Sequence, residues 1–110
     1  MPTTYKVLGR KASAATTMEE LYAVPSSTQA VISTITVCNR AAAARTYRIA
    51  IKPATGTTLA NEHYVAFDVT IAANDTTALT LGLTLATGNS VQVYASGADL
   101  TFQAFGSEIA

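Results

Sequence analysis

The strongest constraint on the fold of this chain is a series of short segments in which apolar residues occupy every second position. In RTYRIAIK, Tyr47, Ile49 and Ile51 alternate with polar residues. In HYVAFDVTI, residues 63–71, the odd-numbered positions are assigned to one face of a strand, and from Val65 onward all of them are apolar. Successive side chains of a strand point to opposite faces, so each segment can bury one face and wet the other. Several such segments separated by turn residues predict an all-β, antiparallel β-sandwich.

About eight strands can be placed between turn signals. They are predicted at 4–8, 20–24, 29–39, 45–52, 63–71, 78–85, 90–96 and 100–105. We expect Gly9 to close the first strand, Gly82 to form a bulge or bend, and Gly106 to end the last strand, adopting positive φ if required. Thr17 and Glu20 have capping-box spacing, but an extended segment before Pro25 is preferred. A jelly roll and an immunoglobulin-like sandwich both remain open.

The segment QAVISTITVCN, residues 29–39, is apolar on both faces. Val31, Ile35 and Val37 are assigned to one face, and Ile32 to the other. The second face is too apolar to be purely solvated. We expect it to meet the second sheet or another protein subunit.

Length and composition predict one domain over residues 1–110, with residues 10–17 forming an arm or loop. Charged residues make up 13% of the chain and the net charge is zero, against about 25% charged in an ordinary globular domain. This balance argues against binding to nucleic acid or to a membrane surface. With so little charge to keep a free monomer soluble, we expect much of the surface to be covered by other molecules when the protein functions. No signal-peptide core or membrane-length apolar run is present in the sequence, so we expect synthesis in a cytoplasm.

The sequence offers little reactive chemistry. Cys38 and His63 lie far apart in the sequence, too few and too distant for a zinc site, and Cys38 is interpreted as a small buried hydrophobe. The adjacent carboxylates Glu19 and Glu20 should point to opposite faces of a strand and cannot act as a pair. The sequon beginning at Asn74 is interpreted as a turn. We therefore expect no catalytic, cofactor or metal site.

Two other groups of residues are candidate binding sites. Arg40, Arg45 and Arg48 surround one hairpin and could bind an acidic partner or phosphate, but a solvated rim explains them better. Five tyrosines are spread over five strands, and no Trp is available for the stacking that sugar-binding modules use. We assign the tyrosines to the core and to subunit interfaces.

Four short motifs give the chain a family resemblance. KVLG at residues 6–9, LYAVP at 21–25, TVCN at 36–39 and FQAFGSEIA at 102–110 follow one another in an order that resembles small virion proteins of tailed bacteriophages. The outline covers most of the chain. Because the motifs are strand ends and turns, no functional residue is carried over from the family.

The resemblance implies a non-enzymatic structural protein of the virion, built as a β-sandwich or jelly roll. Such proteins cement or decorate the capsid by binding the major capsid protein, and are commonly trimeric there. An alternative is an adaptor of the tail, baseplate or fibres, and a more distant one is a module that binds host-surface glycans. The implied partners are other virion proteins and further copies of the chain, with no cofactor, and residues 10–17 and the C-terminal SEIA would serve as reaching segments.

Overall fold

The computed structural model describes residues 3–54 and 57–110, which fold into two packed antiparallel sheets. The predicted all-β sandwich is confirmed. The strands, in chain order, are β1 (Thr3–Ala12), β2 (Glu19–Ala23), β3 (Gln29–Asn39), β4 (Arg45–Lys52), β5 (Tyr64–Ile71), β6 (Thr76–Leu79), β7 (Leu83–Leu85), β8 (Ser90–Ala95) and β9 (Leu100–Ile109). A single 3₁₀ turn, Asn61–His63, precedes β5 among the described residues. No helix in these parts of the chain is long and apolar enough to cross a membrane.

The strand order identifies the sandwich as a jelly roll. One sheet has the order β1-β9-β3-β6, with β7 also paired to β3, and the other has the order β2-β8-β4-β5. We refer to them as the five-stranded and the four-stranded sheet. The chain passes from one sheet to the other at most of its connections, as in a jelly roll, with β6 and β7 together taking the place of one strand. The chain divides there at Gly82, where φ is +62°.

The first strand is longer than the sequence suggested. β1 runs through Gly9 to Ala12 and pairs with β9 along its whole length, with a bulge between Val7 and Gly9. Residues 10–12 of the segment expected to be an arm or loop are thus part of a strand, and residues 13–18 form the connection to β2. Gly9 does not end β1. It is required there because a Cβ would overlap the carbonyl oxygen of Leu21 on β2.

The prediction that Gly106 ends the last strand is also wrong. β9 continues to Ile109 because it lies between β1 and β3 and bonds to both. Gly106 has no positive φ. A Cβ at this position would overlap the carbonyl oxygen of Val31, so the residue permits close strand approach. The C-terminal residues Ser107–Ile109 are therefore held in the sheet and are not a free reaching segment.

A bulge in β3 changes which of its residues share a face. The register against β9 shifts between Ile32 and Thr34, so the inward alternation passes from Ile32 to Ile35 and Val37, all of which are fully buried. Val31, assigned to the face of Ile35, lies instead on the outer face of the sheet. The boundaries of β3 and β4 agree with the prediction. The hairpin predicted between them is wrong, because β3 and β4 lie in different sheets and residues 40–44 form a connection that crosses from one sheet to the other.

The core lies between the two sheets and is mainly aliphatic. Its largest side chains include Tyr47 and Phe102, whose rings meet edge to face with centroids 6.4 Å apart. One polar side chain, Asn39, is 1% exposed and joins two turns to the core. Its Nδ2 donates to the carbonyls of Ala43 and Ala72, at 3.0 and 3.1 Å, and its Oδ1 accepts the N–H of Ala41. The buried amide is thereby satisfied on both sides, as burial requires.

Candidate interaction surface

The apolar residues of β5 do not face the core as their alternation predicted. Val65 is 43% and Phe67 54% exposed, whereas Ala66, expected on the wet face, packs against the core. Only Ile71 at the end of the strand is fully buried as predicted. The most regular apolar alternation in the sequence therefore places an aromatic ring in solvent.

A bulge in β5 causes this reversal. Tyr47 of β4 pairs with Val69 and Ile49 pairs with Ala66, so two residues, Phe67 and Asp68, stand opposite Arg48 alone. Asp68 has φ +51°, a left-handed conformation that Asp tolerates better than most residues. Bulges of this kind re-aim side chains at the edges of sheets. Here the bulge turns Phe67 onto the outer face, beside Arg48.

Arg48 organises an aromatic cluster on the outer face of the four-stranded sheet. Its neighbours along β4, Tyr47 and Ile49, are buried, so its side chain points outward. The guanidinium carbon lies 4.3 Å from the ring centroid of Phe67 and 4.5 Å from that of Tyr94. A guanidinium held between two aromatic rings gains cation–π attraction on both faces.

Asp68 neutralises this guanidinium. Arg48 Nε donates to Asp68 Oδ1 at 2.6 Å, and Nη2 donates to Oδ2 at 3.3 Å. These hydrogen bonds from Arg48 hold the pKa of the Asp68 carboxyl below its usual value. The same hydrogen bonds raise the pKa of Arg48. The pair stays ionised at neutral pH and adds no net charge to the surface.

Tyr64 completes the cluster at the start of β5. Its ring meets that of Phe67 edge to face, with centroids 4.9 Å apart. Together with Asn61 these two rings line an open depression of about 390 Å³. We name the set Tyr64, Phe67, Tyr94, Arg48 and Asp68 the aromatic patch. Its rings contact each other or the Arg48 guanidinium, which the ion pair with Asp68 holds in place. Little side-chain freedom therefore remains to be lost when a partner binds.

The outer face of the five-stranded sheet has a different character. Tyr5, 83% exposed, borders a shallow depression of about 500 Å³ that is also lined by Val31 and Phe105. Two cations lie on this face, and each bonds only neutral groups: Arg10 to Gln103, and Arg40 to the hydroxyl of Thr101 and the carbonyl of Ala98. This face is therefore apolar and hydroxyl-rich, with two uncompensated cations.

The three arginines near the β3–β4 connection do not form a common site. Arg45 pairs with Asp99, with Nη2–Oδ2 at 3.0 Å, and Arg48 pairs with Asp68. Arg40 bonds groups near the start of β9. Each guanidinium group is thus used in a separate contact within the protein.

The other candidate residues have structural environments. Nδ1 of His63 accepts the N–H of Ala60 at 3.0 Å, and Cys38 is a half-buried free thiol rather than a fully buried one. Glu19 accepts the N–H of Ala14 and pairs with Lys11, whereas its neighbour Glu20 is exposed. No group of three or more metal-binding side chains occurs in residues 3–54 and 57–110.

The five tyrosines divide between core and surface. Tyr47 and Tyr22 are buried, Tyr64 and Tyr94 belong to the aromatic patch, and Tyr5 is exposed. Sequence reasoning missed the aromatic patch because it depends on the bulge. The sequence contains one indication of this bulge: Asp68, a residue that tolerates positive φ, lies in the middle of an apolar strand.

Comparison with known proteins adds no further assignment. No protein-family model matches the chain, and no curated protein matches its sequence.

Proposed function

We propose that this protein is a non-enzymatic structural component of a tailed-bacteriophage virion, made in the bacterial cytoplasm and acting as a capsid cement or decoration protein. In this role it binds the major capsid protein and stabilises the shell. The observation that carries the proposal is the placement of exposed aromatic side chains on the outer faces of a rigid sandwich. Aromatic and Arg side chains at the centre of a contact contribute most of the binding energy of protein interfaces.

The polar side chains support the same conclusion. Four carboxylates form ion pairs with Lys or Arg of the same chain: Glu19, Asp68, Asp99 and Glu108. Asn39 and His63 are bonded to the backbone of nearby turns. In residues 3–54 and 57–110 these groups make separate contacts that stabilise the fold, so a structural role accounts for them better than catalysis.

Two weaker arguments point to a virion. Jelly rolls are common in viral capsid proteins, although fold alone does not determine function. The sequence resemblance to phage virion proteins runs through KVLG and FQAFG, whose glycines permit the close strand contacts at Gly9 and Gly106. A sandwich of this shape therefore requires the glycine of each motif at its position.

Electron microscopy of the source particle with gold-labelled antibody against this protein tests the proposal. We expect label over the capsid shell, at many positions per particle. Label confined to the tail or baseplate would replace the cement role with that of a tail adaptor. Purified particles that carry no label would refute a virion role altogether.

A second candidate function, glycan binding, is favoured by one observation. Tyr64, Phe67 and Asn61 line the same open depression, and stacking on an aromatic ring beside an amide is a common way to hold a sugar. Lectins also use the jelly roll. A glycan array probed with the purified protein tests this candidate, and an array without hits would eliminate it.

A further inference from the structure

We infer that the aromatic patch is a self-association surface, against which the same patch of a second copy packs around a two-fold axis. The inference deepens the proposed structural role, on which it rests, by assigning different partners to the two outer faces. The charge, the edge position and the rigidity of the patch favour this contact.

Charge favours this patch for contact with an identical copy. A two-fold interface brings each patch against itself, so any net charge meets the same charge on the partner. The aromatic patch has one cation and one anion, paired at 2.6 Å, and therefore no net charge. The outer face of the five-stranded sheet has Arg10 and Arg40 bonded to neutral groups, and would oppose cation to cation. The aromatic patch is thus electrostatically neutral towards its own copy, whereas the second face would oppose like charges.

The edge position of β5 gives a second argument. Long edge strands are usually protected from further pairing by Lys, Pro or shortness. β1, the edge of the other sheet, has three cations, Lys6, Arg10 and Lys11, and β6 has only four residues. β5 has eight residues without Lys or Pro, its one charge is the neutralised Asp68, and it pairs with β4 alone. It is the least protected of these edges.

The bulge determines how such a contact would form. The register of β5 shifts on both sides of the Ile49–Ala66 pair, so regular backbone pairing with a second copy is interrupted along the strand and side chains must supply the contact. Phe67, held against Arg48, then supplies most of the contact together with Val65 on the same strand. Because the rings are already fixed, packing two patches costs less side-chain entropy than ordering free aromatic side chains would.

A dimer formed in this way leaves the outer face of each five-stranded sheet uncovered. The two copies would present two equivalent faces, each with Arg10 and Arg40 and an apolar depression beside Tyr5. Two weak contacts made by one linked pair hold a repeating surface far more tightly than one contact. This is the arrangement that a cement protein needs in order to bridge neighbouring subunits of a shell.

Sedimentation equilibrium of the purified full chain tests the inference. We expect a reversible dimer with a dissociation constant on the order of 1–500 µM, which is weak on the scale of protein affinities. Phe67→Ser should raise the dimer dissociation constant at least about tenfold, and Val65→Lys, which adds a charge to the edge, should do the same. Tyr5→Ser is the matched control, because it removes another exposed ring from the other sheet, and should leave the constant unchanged. Since Phe67 is 54% exposed, its variant should keep the circular dichroism spectrum of the wild type.

A wild-type chain that stays monomeric over the whole range would overturn the inference. So would a trimer as the limiting species, or dissociation by Tyr5→Ser but not by Phe67→Ser. Sugar binding by a monomer that is lost in Phe67→Ser would also overturn it and assign the patch to a glycan. A monomer that still labels the capsid shell refutes this inference alone, whereas a dimer absent from every particle refutes the virion role alone.

Discussion

Replacing Tyr22 with Phe tests the contact that joins the two sheets at their β1–β2 edge. Tyr22 on β2 is 8% exposed, and its hydroxyl donates to Glu108 Oε2 of β9 at 2.5 Å. The other oxygen of Glu108 lies 2.8 Å from Nζ of Lys6 on β1. One carboxylate thus connects a strand of the four-stranded sheet to two strands of the five-stranded sheet. Tyr22→Phe removes one of these links and keeps the ring.

The expected loss of stability follows from the charge on the acceptor and its exposure. A hydrogen bond to a charged group contributes about 1.5–3 kcal/mol. The Glu108 side chain is 15% exposed and that of Lys6 46%, so solvent screens part of the interaction and we expect a loss of about 1–2 kcal/mol. For a chain of this length that loss corresponds to a fall in Tm of about 4–9 °C.

The loss should depend on pH. Hydrogen bonds from Lys6 and then Tyr22 hold the pKa of Glu108 below its ordinary value of 4.5. A carboxyl with a depressed folded pKa contributes stability that is present above its unfolded pKa and is lost as the pH falls through the folded one. Burial and the neighbouring Glu108 raise the pKa of Tyr22, so its hydroxyl keeps its proton throughout. The difference between wild type and variant should therefore be full at neutral pH and shrink below pH 4.5.

Urea unfolding at about pH 7 and about pH 3 measures this difference, since the carboxylate is ionised at the first pH and increasingly protonated towards the second. Tyr47→Phe is the control, because the Tyr47 hydroxyl bonds no carboxylate among the described residues, and its effect should be equal at both values. A Tyr22→Phe effect that does not change with pH would refute the assigned role of Glu108.

Two further predictions concern the core and the strand contacts. Phe102→Ala should cost about 3–5 kcal/mol, because the ring is fully buried against Tyr47; calorimetry checks this, and a loss below about 1 kcal/mol would contradict the packing. Gly106→Ala should destabilise far more than Gly82→Ala, although only Gly82 has positive φ, because a Cβ at Gly106 overlaps the carbonyl of Val31 whereas one at Gly82 meets open space. Equal urea midpoints for the two variants would show that β3 and β9 can separate without loss.

The sandwich was predictable because period-two alternation identifies strands that have one face available for burial. β3 and β4 were placed at their observed bounds, and the break at Gly82 was expected from a residue that disrupts a strand interior. The strand order was not predictable, because it depends on pairings between segments far apart in the sequence. Gly9 and Gly106 were interpreted as strand ends, since a sequence does not distinguish a glycine that ends a strand from one that permits close strand contact.

The aromatic patch was not predictable for a related reason. A bulge reverses the faces of the residues on one side of it, so a pattern read with constant period two assigns Phe67 to the core. The same error affected Val31 in β3. Asp68 was the local indication of the bulge in β5, but Asp is also an ordinary residue for the solvated face of a strand. Only its pairing with Arg48 across the sheet distinguishes the two interpretations.

The position of β9 between β1 and β3 has a consequence for synthesis. β1 is synthesised before the other described strands, yet its ladder partner, Leu100–Ile109, is synthesised after all of them. Until then the larger sheet lacks its central strand, and β1 and β3 cannot be joined. Folding is therefore expected to finish only after nearly the whole domain has emerged, and to be slow, since its pairings close long loops. During that interval the edge of β3 that later bonds to β9 stays open to pairing with another chain.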